Sequence, residues 1–267
     1  MIYRVIFAFS LLLVAITKSH GQDASVIAHE AYAVRWTAAI ELDDISSIDA
    51  ELDRPLVLSG NKKDVMELAC RDRRGHFSIQ RFSSRRGYLK ARLEGGMPRT
   101  GYDVAMDSWA ALETFPLALL RQAKPSVSSH VSALSLDGFD LRHLPYAIMT
   151  FSERMPDGYS FHDDCPEPVM EIREPHRLRW YCPPKDPHDQ LNYQVMLLAW
   201  GDFNHDGLED VLMKFNYWFS FARNSGHEMV VLTRYPDQES LTLVGFAEDV
   251  LRKGQPQFTR RLSKVNK

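Results

Sequence analysis

The stretch that decides how this chain is read runs from Trp200 to Val211, W-G-D-F-N-H-D-G-L-E-D-V. Oxygen donors recur at every second position, Asp202, Asn204 and Asp206, and return at Asp210. Ca²⁺ takes about six to eight oxygen ligands at roughly 2.3–2.6 Å, so a short loop must turn its carboxylates inward around one point. In this reading Asp202, Asn204, Asp206 and Asp210 supply side-chain oxygens and Leu208 its backbone carbonyl. Gly207 stands where the turn is sharpest, because a residue without Cβ takes positive φ freely. The first half matches an EF-hand opening, but Met213 occupies the position where an EF-hand needs a bidentate Glu. The flanks, Tyr193–Trp200 and Val211–Trp218, are short, apolar and rich in Val, Leu, Phe, Tyr and Trp, which reads as two strands. A plain polar turn also favours Asp, Asn and Gly; five matched positions put a calcium-binding hairpin loop ahead of it.

The chain opens with Arg4, an apolar run from Val5 to Ile16, and Lys18-Ser19-His20-Gly21. A positive start, a short apolar stretch and small residues before Gln22 make a secretory signal, 1–21, cleaved near Gly21. The run falls short of the roughly 20 apolar residues that span a bilayer. The mature chain, 22–267, is expected in an exported, periplasmic compartment. Cleavage removes two basic residues and leaves 30 against 35 acidic ones, and such mild acidity argues against a nucleic-acid partner. Three cysteines suit an oxidising compartment with one disulfide and one spare thiol. Cys165 and Cys182 flank two alternating runs with Glu174-Pro175 between them, so a hairpin centred there sets the two sulfurs opposite each other. Cys70 lies in an apolar context and reads as a buried thiol.

The acidic stretch Glu41–Glu51 reads as a polar connection. His76–Phe82 and Tyr88–Leu93 alternate and read as a hairpin around Ser83–Gly87, with a cluster of arginines on it. Those arginines suit either a phosphate or glycan site or a solvated edge that discourages strand addition. Ser108–Ala123 is a helix with Asp107 or Ser108 as its cap, and Pro116 is expected to break or restart it. From Leu134 onward the pattern is β: Pro145–Phe151, the disulfide hairpin, the calcium hairpin, Glu228–Tyr235 and Ser240–Phe246. The basic C-terminus from Arg252 is expected to fray. Strand runs at this spacing point to one mainly β domain with a few short helices. A single D-x-N-x-D-G copy speaks against a regular propeller, so the expectation is a degenerate, propeller-like domain.

Enzymatic signatures are missing: the sequence carries no G-x-S-x-G elbow, no phosphate-binding glycine loop and no H-E-x-x-H. The chain is therefore not read as an enzyme. His162-Asp163-Asp164 reads as a polar loop leading into the disulfide, and His205 as a non-ligating residue facing solvent. Arg223, Asn224, Ser225, Gly226 and His227 form a polar tip after an aromatic strand. Such a loop on a scaffold suits either insertion into a partner's cleft or an ordinary hairpin connection.

The stretch GDFNHDGLEDV resembles the calcium loops of FG-GAP and VCBS repeats, in which G-D-x-N-x-D-G-x-x-D binds Ca²⁺ at a hairpin tip of a propeller blade. Taken with FNYWFSFARNSGHEMVVLTRY, the sequence resembles the periplasmic immunity proteins that neutralise lysozyme-like effectors. Within that group it looks like the immunity partner of a peptidoglycan-cleaving effector of a bacterial type IV secretion system. The resemblance implies a propeller-like fold, a bound Ca²⁺ and occlusion of a lysozyme-fold hydrolase's cleft. It covers roughly Tyr193–Tyr235, and the Ser225-Gly226 pair corresponds to a Ser-Gly pair on the inhibitory loop of one inhibitor class. A second class of function is an exported FG-GAP-like module that binds a surface polymer or protein without inhibiting it.

Overall fold

A computed structural model describes residues 32–56, 66–71, 76–98, 101–148, 161, 165–183, 190–219 and 225–254. Its centre is an antiparallel sheet. Strands β4 (Val169–Glu174), β5 (Arg177–Tyr181), β6 (Leu191–Gly201), β7 (Asp210–Phe219), β8 (Ser225–Thr233) and β9 (Thr242–Phe246) follow one another as a meander in chain order. The seventh strand, β1 (Arg35–Trp36), pairs with Ala199 and Trp200 of β6, beyond the stretch from Asn192 to Met196 that pairs with β5. The chain is thus mainly β, as its spacing of strand runs implied. Among the described residues the strands form this open sheet and one separate hairpin.

Both faces of the sheet are covered, and the two-residue period of a strand sorts side chains between two cores. On β7, Val211, Met213 and Phe215 enter one core and Leu212 the other; on β8, Val230 and Leu232 oppose Met229 and Val231. A bulge between Leu197 and Ala199 resets this alternation in β6. The first core is aromatic. Phe161 sits 5.8 Å from Trp180, 5.3 Å from Tyr193 and 5.0 Å from Phe215 by ring centroids, and all four are fully buried. Its outer layer is irregular chain, with 3-10 turns at Leu141–His143 and Tyr146–Ile148 contributing Leu141, Tyr146 and Ile148.

The second core lies under four helices: α1 (Ile48–Asp53), α2 (Arg85–Leu93), α3 (Gly101–Gln122) and α4 (Ala247–Lys253). The separate hairpin of β2 (Met66–Arg71) and β3 (Phe77–Phe82) joins them and buries Met66, Leu68 and Cys70. Cys70 is the free, buried thiol, and burial pushes its pKa up.

Several local expectations are corrected here. Tyr88–Leu93 belongs to α2, not to a strand: Ser84 caps that helix by accepting from the Gly87 N–H at 3.2 Å, and β3 pairs backward with β2. The helix expected from Ser108 starts at Gly101 and runs unbroken through Pro116. The missing proline N–H costs one helical bond, but Phe115, Leu117, Leu119 and Leu120 are all buried around it, so packing holds the axis. Residues 146–148 form a 3-10 turn in place of the strand expected over Pro145–Phe151. The acidic stretch becomes a 3-10 turn at Ile45–Ser47 and then α1, because Ile48 and Leu52 reach the core. Arg252 and Lys253 close α4 instead of fraying. The signal segment, His162–Asp164 and the chain beyond 254 lie outside the described residues.

Cys165 and Cys182 are bonded, with 5.5 Å between their Cα atoms, at the open end of the β4–β5 hairpin. A crosslink closing a loop of this length stabilises by about 3 kcal/mol, chiefly by restricting the unfolded chain. The double variant Cys165→Ser/Cys182→Ser is expected to lose about that much in urea titration, and non-reducing peptide mapping should leave Cys70 unlinked.

Candidate metal centre

The loop from Asp202 to Leu208 joins the two longest strands of the sheet. Two residues in it have positive φ, His205 at 67° and Gly207 at 89°. Asp202 is the organiser: its Oδ1 accepts from the Asp206 N–H at 3.1 Å and its Oδ2 from the Gly207 N–H at 3.0 Å. Asn204 Oδ1 accepts from the same Asp206 N–H at 3.0 Å, and Asp206 Oδ1 from the Leu208 N–H at 2.8 Å. The side chains thus bend the backbone by local hydrogen bonds, as Asp and Asn do in turns. Asp202 and Asp210 are buried, whereas Asn204 and Asp206 are exposed.

Asp210 completes the set from the first position of β7. Its Oδ2 accepts from the Phe203 N–H at 3.0 Å; its buried Oδ1 has no partner in good hydrogen-bond geometry, although the Thr233 hydroxyl lies near enough to the carboxyl to oppose the rise in its pKa. Burial raises its pKa to about 7, and the neighbouring carboxylates of Asp206 and Asp202 add to the effect. An orphaned buried carboxylate oxygen is costly, and a cation beside it offsets that cost. The donors offered are all hard oxygens, which suits Ca²⁺. The carboxylates are nevertheless not gathered around one point: among the described residues no group of three His, Cys, Asp or Glu side chains is arranged as for a metal.

The loop is also a junction. Asp202 exchanges backbone hydrogen bonds with Lys124 in both directions, and the Gly207 carbonyl accepts from Val127 and Ser128. His205 is exposed, as the sequence implied, and its Nε2 also donates to the Gln122 carbonyl at 2.8 Å, at the end of α3. Glu209, skipped by the ligand pattern, is fully buried. It pairs with Arg35 of β1 and accepts from the Ser129 hydroxyl at 2.5 Å. The Arg35 guanidinium stacks 4.7 Å from the Trp200 ring centre. Arg35 and Glu209 are 174 residues apart, so no local signal could have joined them.

The candidate contact residues divide. Arg223 and Asn224 lie outside the described residues. Ser225, Gly226 and His227 begin β8, paired with Trp218, Tyr217 and Asn216, and so are strand, not loop tip. Gly226 has a packing reason to be glycine: an added Cβ would stand 2.0 Å from Tyr217 Cζ. His227 is half-buried, and burial with the nearby Lys214 charge lowers its pKa.

No protein-family model, curated protein or solved structure matches the chain.

Glu209→Gln removes a charge that holds Arg35 and Ser129 against the loop. It is expected to cost about 2 kcal/mol, the scale of hydrogen bonds to charged groups, in denaturant titrations, while the secondary structure seen by circular dichroism is kept.

Proposed function

We propose that this is an exported, calcium-braced binding protein that acts as an immunity protein, inhibiting a lysozyme-fold peptidoglycan hydrolase by occluding its cleft. The observation that carries the metal part is the Asp210 Oδ1, buried without a partner beside a loop built of oxygen donors. Asp202, Asn204, Asp206, Asp210 and the Leu208 carbonyl would hold the ion. Bound there, Ca²⁺ supplies positive charge to the buried carboxylates and fixes the hairpin, which lowers the ordering entropy lost on association. The Cys165–Cys182 bond supports an oxidising, periplasmic setting. In this reading the β6–β9 meander stands for one degenerate propeller blade with the metal loop at its first hairpin. The inhibitory role rests on the resemblance of the stretch 193–235, with Arg223 and Asn224 before β8 and Ser225 to His227 at its start as the contact.

Two expectations separate the parts. Calcium at about 100 times its dissociation constant adds about 2.7 kcal/mol to stability, so chelator should lower the melting temperature of loaded protein by several degrees. Asp206→Ala should abolish that response, and Asp210→Asn should melt higher than wild type in chelator but lower in calcium. An unchanged melt of demonstrably loaded protein on chelation rules the site out.

For the partner, the mature protein is titrated into a peptidoglycan-clearing assay with the muramidase encoded beside it. One-to-one inhibition is expected, weakened by Arg223→Ala/Ser225→Ala with calcium binding intact. No inhibition at molar excess ends the inhibitor reading, whereas full inhibition by the double variant ends only the assignment of the contact.

A further inference from the structure

Arginines in this molecule are paired with great regularity. Arg35 meets Glu209, Arg85 meets Glu51, Arg92 and Arg252 share Glu248, and Arg179 meets Glu171. Even the exposed Arg173 donates to the Asp137 carbonyl at 3.3 Å. Arg234 breaks the pattern. Its Nε is sealed from solvent with no acceptor, as are those of Arg85, Arg92, Arg179 and Arg252, but unlike them it forms no ion pair within the 4.0 Å limit among the described residues. A guanidinium cannot shed its proton, so an unmet, partly buried one is a standing cost. Such an exception in a native structure marks a place where a ligand completes the bonding.

Arg234 follows β8 directly and forms one wall of a groove of about 530 Å³. The segment 129–143 supplies the facing wall, and the volume is in the range of small-ligand sites. The acids of the groove are partly spoken for: Asp140 is bound by Arg142 at 2.8 Å, and Asp137 Oδ1 accepts from the Ser135 hydroxyl at 2.7 Å. The Ser132 hydroxyl and the His130 imidazole engage no described residue and stand exposed at the rim. The groove therefore offers one unsatisfied cation, spare acceptor capacity on Asp137, and hydroxyl and imidazole groups able to donate or accept. A ligand that answers all three has a carboxylate and several hydroxyl or amide groups.

We propose that this groove binds a sugar acid, with Arg234 taking the carboxylate in a two-bond fork and Asp137, Ser132 and His130 reading the hydroxyls. The planar guanidinium matches a carboxylate edge in a way a lysine would not. The bare apolar acids have nothing to offer Asp137, and neutral sugars nothing to offer Arg234. The site is separate from the metal loop, although Ser129 and Glu209 join the two regions. It does not depend on the inhibitor reading.

The test titrates the mature protein with N-acetylmuramic acid by calorimetry, with N-acetylglucosamine and acetate as probes lacking the carboxylate or the sugar. N-acetylmuramic acid is expected to bind at millimolar concentration and both controls about tenfold or more weaker, the scale of one charge-assisted fork. Arg234→Met should abolish that difference while melting no lower than wild type, since it removes an unmet charge and keeps the aliphatic stem. No binding at tens of millimolar, equal binding of either control, or binding retained by Arg234→Met overturns the proposal. So does a large fall in the melting temperature of Arg234→Met together with lost binding, because the arginine is then a structural group.

Discussion

Strand β6 is buried on both faces, and the rest of the molecule is arranged to satisfy that constraint. Val195 and Leu197 face the aromatic core, Leu198 and Ala199 the helical one. Each apolar face removed from water contributes on the order of 25 cal/mol per Å², so neither can be left bare. Helices cover one side, and the irregular segment 131–148 covers the other. The backbone of that irregular layer is satisfied by bonds such as Leu136 N–H to the Pro175 carbonyl and Leu241 N–H to the His143 carbonyl. The same strand ends at the loop Asp202–Leu208, which is why a surface hairpin becomes the junction of sheet, helix and crossing chain.

Charge performs a second kind of fastening on the helical side. Tyr88 donates to Asp107 Oδ1 at 2.8 Å, Arg92 reaches both Asp107 and Glu248, and Arg252 returns to Glu248. This network links α2, α3 and α4. Burial raises the pKa of Asp107 and of Glu248, and the arginines oppose that shift. Such a network is weak evidence for net stability. The arginines that made the sequence look basic around residue 85 are absorbed in the same way, Arg86 by Asp49 and Asp53 and Arg81 by Glu67. Among the described residues these arginines are edge and inter-helix fastenings.

The loop from Asp202 to Leu208 joins the two themes. Its backbone is set by its own side chains, yet its position is set by Lys124, Val127 and Gln122 from a distant segment. Glu209 lies between the donors but turns away from them to meet Arg35, so alternate residues of one loop serve different tasks. That division follows from the strand period taking hold at Asp210 and from the burial of Glu209 beneath β1.

What the sequence by itself determined is local. The hairpin around Trp200–Val211, the positive φ at Gly207, the β4–β5 hairpin and the Cys165–Cys182 pairing all depend on neighbours within about a dozen and a half residues, and were legible in spacing alone. The tertiary structure decided the rest. Tyr88–Leu93 alternates like a strand but is a helix, because β3 takes its partner from β2 and Ser84 supplies a cap. Pro116 reads as a break but is carried through by core packing on both sides. Ser225 to His227 read as a tip but pair with β7, and Gly226 is required by a ring on the neighbouring strand. The partners of Glu209 and His205, and the groove around Arg234, are set by approaches between distant segments, and periodicity carries no information about those.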